Sequence, residues 1–414
     1  MDSAFYTGNR ERMAEKLDDG SVAVFLSGQP QRRAGDQFYP FEVDRNFYYL
    51  TGLMQPNLAL LTAKKGDIVE HTLILPMLNE RMERSNGTCL RPEEAGAISG
   101  IAKVGYDSAE QLLLGYLCSG SGRSYNIVYF DTQLSPSLEN PHMHALVGAV
   151  RINCPYARVK NANPIVNALR YIKQPCEIEA IREAIALTDL GLQNALKHLK
   201  GNPEYIVQVE FETPIYRKNT GLGFDTIVAA GANNTTLHHS PGSKECLEGE
   251  LVLFDVGAHF KYYSADISRT YPVSGKFSPR QRQIYEIVLQ MQYECIAMMK
   301  AGVPTKEVED TARGVAVREL LAAGIISTEE EITKYYYHGC CHPLGLFTHD
   351  VRPDTEGGLI LESGVVCTLE PGLYFADEGF GVRIEDDILI LADGNEVLSK
   401  SIIKTVAEIE AYLA

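Results

Sequence analysis

The chain has 414 residues and a formal net charge of -16, with 45% hydrophobic and 22% charged residues. That is an ordinary globular mixture, long enough for two or three domains at roughly 150 residues each. The charge argues against nonspecific binding to nucleic acid or to an anionic membrane, and no apolar run approaches the roughly 20 residues of a membrane span.

Met1–Asn9 shows no basic region followed by an apolar stretch, so no secretory signal is expected. Arg10–Leu17 reads as a helix. Ser21–Leu26, Thr72–Leu75 and Asn126–Phe130 read as strands, with Phe47–Leu50 as a further strand candidate. Their alternation suits a sheet flanked by helices. Asn, Ala and Pro cluster around Lys160–Pro164 and mark a boundary, giving domains 1–163 and 164–414. Pro175 then opens a helix over Cys176–Leu199, whose Ile178, Ile181, Ile185, Leu192 and Leu196 recur at helical spacing. Ser278-Pro279-Arg280-Gln281 is a capping box that starts a second long helix, ended by Gly302. Thr305–Ala323 is a third, stopping at Gly324. Around these helices lie two β-rich stretches, Gly249–Pro272 and Val365–Leu391.

Nine cysteines form no C-x-x-C pair, and their number is odd. The simplest reading is reduced, mostly buried thiols in a cytoplasmic protein.

Each β-rich stretch carries a pair of acids. If the first is an antiparallel hairpin turning at Phe260-Lys261, Asp255 and Asp266 stand directly opposite each other. Opposed Cβ atoms lie about 5 Å apart, close enough for both carboxylates to hold one cation. In the second stretch, Glu370 and Glu385 have their midpoint between Asp377 and Glu378, just before Gly379, which is good turn chemistry. Opposed carboxylates repel, and without a cation one of them takes up a proton. His338, His342 and His349 cluster in one short segment, and His238-His239 precedes the first acidic hairpin. Four carboxylates and one imidazole are an oxygen-rich set that favours Mn²⁺, with Co²⁺, Fe²⁺ and Zn²⁺ as alternatives, over copper or an iron–sulfur cluster. Bridging carboxylates suit two metals about 3.5–4 Å apart, and water between them loses a proton near neutral pH and becomes a nucleophile. The chemistry expected is metal-assisted hydrolysis.

These segments resemble the pita-bread metallopeptidases, and aminopeptidase P most among them, over nearly the whole chain. Asp255 stands in a D-x-G strand and Asp266 in D-I-S-R-T. His342 matches H-x-x-G, Glu370 stands in E-P-G, and Glu385 in R-I-E-D. The resemblance implies that these five are the metal ligands and that Glu370 also shuttles the proton. It further implies that His238 and His349 contact the substrate and that Arg383 organises the site. Asp36–Gly52, ending in F-Y-Y-L-T-G, is similar to the family's amino-terminal domain. The fold so implied is α+β: a smaller mixed α/β domain, then a pseudo-two-fold catalytic domain. The implied activity is release of an N-terminal residue that precedes proline, in a homodimer or homotetramer, with prolidase as the alternative and a silent peptide-binding module as a second. The chain departs from the pattern at Cys340, Cys341, Pro343 and Thr348, and it contains no Trp.

Overall fold

The computed structural model describes residues 1–118, 125–132, 141–353 and 358–414, and the chain divides into two units, Met1–Arg170 and Tyr171–Ala414. Among the described residues, no helix is long and apolar enough to cross a membrane.

In the first unit, Asp2 accepts a hydrogen bond from Phe5 N, so the opening helix runs over Ser3–Glu15 and starts well before Arg10. Phe47–Leu50 is helical rather than a strand. Asp44 caps Phe47 N at 2.9 Å, and Gly52 at φ 71° closes the helix Arg45–Thr51. A short aromatic run does not distinguish the two conformations by periodicity, and here the caps decide. Six strands form one mixed sheet in the order Lys103–Tyr106, Ile68–Leu75, Ala59–Lys65, Ser21–Leu26, Ile127–Phe130, Arg158–Asn161. The central strand Ser21–Leu26 runs antiparallel to Ala59–Lys65 and parallel to Ile127–Phe130. One face buries Val22, Val24, Leu61 and Val128 with Leu113 and Leu117 of the helix Ala109–Cys118 and Met143 and Val150 of the helix Pro141–Asn153. Cys118 and Cys154, at the ends of those helices, are joined in a disulfide. This corrects the expectation of uniformly reduced thiols; Cys89, Cys246, Cys295, Cys340, Cys341 and Cys367 lie outside that bond as thiols.

In the second unit, a pair of packed helices followed by a β hairpin occurs twice. The helices Pro175–Leu196 and Glu204–Tyr216 precede strands Leu251–Val256 and Ile267–Pro272. The helices Pro279–Met298 and Thr305–Ala322 precede strands Val366–Leu369 and Asp386–Ile390. Ser278 and Gln281 form the capping box expected from sequence. The strands are almost wholly buried on both sides. Carboxylates carried on them are therefore withdrawn from bulk water, and their ionisation is costly.

Candidate active site

Glu370 and Glu385 belong to one long antiparallel hairpin. Leu369 faces Asp386 below them and Gly372 faces Arg383 above, in a single register. That register sets Glu370 opposite Glu385, the relation implied by their spacing. The turn at Ala376–Glu378 is closed by Gly379 at φ 71°, a left-handed conformation that favours glycine.

The first hairpin departs from expectation, because Asp255 faces Ser268 and not Asp266. Its turn sits at Lys261 and Tyr262, which adopt φ of 52° and 66°. Moving the turn by one residue moves the partner of Asp255 by two. Side chains alternate along a strand, so Asp266 keeps to the face of Ser268 and lies diagonal to Asp255. Gly257 permits this crossing: a Cβ there would lie 1.9 Å from Ala265 O.

All eight residues singled out from the sequence line one cleft of about 1110 Å³: His238, Asp255, Asp266, His342, His349, Glu370, Arg383 and Glu385. One donor atom each from Asp266, His342 and Glu385 lies within 4.8 Å of the others. His342 Nε2 is 3.5 Å from Asp266 Oδ2 and 3.7 Å from Glu370 Oε1. Asp255 stands outside that trio and accepts from Arg383 Nη2 at 2.7 Å. Arg383 also donates to Tyr374 OH at 2.9 Å and to Ser268 Oγ at 2.7 Å, and Ser268 donates to Glu385 Oε2 at 2.8 Å. Just outside the cleft, fully buried Arg269 pairs with Asp386 at 2.7 Å and donates to the backbone oxygen of Glu385.

Burial, and then the neighbouring charges of Asp255, Asp387 and Glu370, push the pKa of Asp266 well above the usual carboxylate range. Burial, then Asp266, Glu370 and Asp255, do the same to Glu385. Burial raises Glu370 to about 7 against the pull of His342 and Arg383. A cation among these groups would relieve both their repulsion and their lost hydration. The donor chemistry, carboxylate oxygens with one imidazole, fits a divalent metal ion. Cys341 lines the same cleft, but its hydrogen bond with Cys367 and its burial hold the thiol well above its ordinary pKa. The thiolate that a soft metal needs is disfavoured.

His238 follows the turn Gly231–Thr235 on a loop held by Glu204. The buried Glu204 carboxylate accepts from Ala230 N at 2.7 Å, Asn233 Nδ2 at 2.9 Å, His239 Nε2 at 2.8 Å and Gly242 N at 3.0 Å. The His349 ring lies 4.2 Å from that of His342. Burial, then His342 and His238, lower its pKa, so the ring is neutral near pH 7.

Four contributors carry no assignment from sequence. His338 places Nδ1 3.8 Å from Glu370 Oε2 and Nε2 2.8 Å from Tyr374 OH, and burial lowers its pKa to about 4. Its closeness to His342 in the chain is the available signal. Ser268 follows Asp266 by two, so strand alternation is the signal there. Nothing local marks Tyr374 or Glu204, which act through distant segments.

Comparison with known proteins matches residues 179–392 to metallopeptidase family M24, and residues 6–123 to the aminopeptidase P N-terminal domain. The Xaa-Pro aminopeptidase of Haemophilus influenzae is 31% identical over 97% of this chain and 95% of its own. A solved Bacillus anthracis structure, provisionally assigned as an aminopeptidase P, is 40% identical with TM-score 0.95, covering 100% of this chain and 98% of that one. Zinc-substituted Escherichia coli aminopeptidase P in complex with product is 28% identical with TM-score 0.92 and the same coverage.

Proposed function

The chain belongs to metallopeptidase family M24, and from that membership we propose how its cleft releases an N-terminal residue from peptides with proline second. The activity is that of a metal-dependent Xaa-Pro aminopeptidase. The observation that carries the reading is the convergence of Asp266, His342 and Glu385 donors within 4.8 Å in the cleft that also holds Glu370 and Asp255.

Asp255, Asp266, His342, Glu370 and Glu385 would hold two divalent ions, for which we propose Mn²⁺. When bound, such ions acidify water and polarise a carbonyl. The remaining work belongs to the side chains. The scissile nitrogen, like any amide nitrogen, must gain a proton to leave as an amine, and in proline it carries no hydrogen of its own. Glu370, whose Oε1 lies 3.7 Å from His342 Nε2 in the cleft, is placed to take a proton from attacking water and deliver it to that nitrogen. Neutral His349 donates to the carbonyl oxygen as charge develops there, and His238 contacts the peptide beside it. Arg383 fixes Asp255 through its Nη2 and Glu385 through Ser268.

The test sets a Xaa-Pro dipeptide beside a Xaa-Pro-Yaa peptide and a Xaa-Ala-Yaa control, each with Mn²⁺. Turnover of Xaa-Pro-Yaa is expected. Cleavage of the dipeptide alone would make the protein a prolidase, and no cleavage of any would leave a binding module.

We also propose a homodimer or homotetramer in the cytoplasm. Cys89, Cys246, Cys295, Cys340, Cys341 and Cys367 are thiols outside the Cys118–Cys154 disulfide, and they support a reducing compartment against that one bond. Light scattering at the 45.8 kDa chain mass would contradict the assembly, and recovery from a non-cytoplasmic fraction would contradict the location.

A further inference from the structure

His342 and His349 stand at the two ends of one loop, and those ends are fixed differently. At the first, Thr368 N donates to His342 O at 2.8 Å and Leu344 N to Val366 O at 3.0 Å, so His342 lies along a strand. At the second, Asp350 follows His349 and donates its N–H to Pro343 O at 2.9 Å. The Asp350 carboxylate meets Lys173 Nζ at 3.2 Å, with both side chains 1% exposed. Lys173 is itself anchored: Nζ donates to Tyr171 O at 3.3 Å, and its backbone N–H to Gly364 O at 2.9 Å. Gly345 leaves room for the pair, since a Cβ there would lie 2.2 Å from Asp350 Oδ2 and 2.9 Å from Lys173 Cε. Neither Lys173 nor Asp350 lines the cleft.

A buried ion pair is weak evidence for stability, because lost hydration offsets most of the attraction. What this pair does have is a fixed place beside His349. We propose that Lys173 and Asp350 form a positioning pair that sets the His349 ring against His342 and the reacting bond, while leaving the His342 end to its strand. This rests on the peptidase reading above.

Lys173→Met combined with Asp350→Leu removes both charges, so that neither is left buried and uncompensated. On a Xaa-Pro-Yaa peptide, kcat/KM is expected to fall about tenfold or more, and in a His349→Ala background by less than about twofold, as coupled residues require. Mn²⁺ affinity, read by calorimetric titration, is expected to stay within about threefold, because the ligand end of the loop is held elsewhere. Equal losses in the two backgrounds, a loss below about twofold in the first, or Mn²⁺ binding about tenfold weaker each overturns the pair's role. Where the double variant does not fold, Asp350→Asn keeps the side-chain shape and is read by the same cycle. Wild-type protein that binds Mn²⁺ and cuts no Xaa-Pro peptide overturns the peptidase reading and this proposal together. The other outcomes overturn the pair alone.

Discussion

Glu370→Gln is expected to lower kcat on a Xaa-Pro-Yaa peptide by about 10² to 10⁴, the usual cost of removing a general base, with more lost through the missing ligand oxygen. The fold should survive. Glutamine has the same shape, and the change removes one of the negative charges that crowd Asp266 and Glu385. Loss should therefore appear in kcat, with the Tm of the chelated variant at or above that of the chelated parent. Kinetics at saturating Mn²⁺ check this. Turnover within about tenfold of the parent would move the proton transfer to another group. His338, which is not among the five proposed ligands, would then be a candidate, at 3.8 Å from Glu370.

The second large effect is expected in thermal stability when Mn²⁺ is added to chelated protein. In the cation-free fold, burial and mutual repulsion favour the protonated forms of Asp266, Glu370 and Glu385 more than the unfolded chain does. The folded state thus binds more protons than the unfolded one, and stability falls as pH rises. This contribution is complete below the ordinary carboxylate pKa and, for Glu370, is lost as pH climbs through about 7. Cations displace those protons, so their effect should be small near about pH 5 and largest near about pH 8. At about a hundred times Kd, binding stabilises by about 2.7 kcal/mol. For a unit of this size that is a rise in Tm of roughly 5–10 °C. Scanning calorimetry with and without Mn²⁺ at the two pH values measures it. An equal rise at both would show that the buried acids are ionised throughout.

The second acidic hairpin was legible because its turn has turn chemistry: Gly379 takes the left-handed conformation that the spacing of Glu370 and Glu385 requires. The first was misread by one residue at the turn because Lys261 and Tyr262 take positive φ without Gly, Asn or Asp to announce it. Strand alternation limited the damage, since a two-residue change of partner leaves Asp266 on the same face. The helix Pro279–Met298 showed its start through Ser278 and Gln281, whereas Phe47–Leu50 hid a helix behind β-favouring residues. Glu204, Lys173 and the Cys118–Cys154 bond could not be read, because each depends on a partner brought close only by the fold. Sequence patterns within a strand or turn carry local geometry. They do not say which remote segment will cover it.

Asp266 and Glu385 turn towards the cleft, while Arg269 and Asp386, on the same two strands, clasp each other on the far side. The anionic face is thus bolted from behind by a guanidinium that solvent does not reach. A cation entering that face therefore meets strands already tied together behind its ligands.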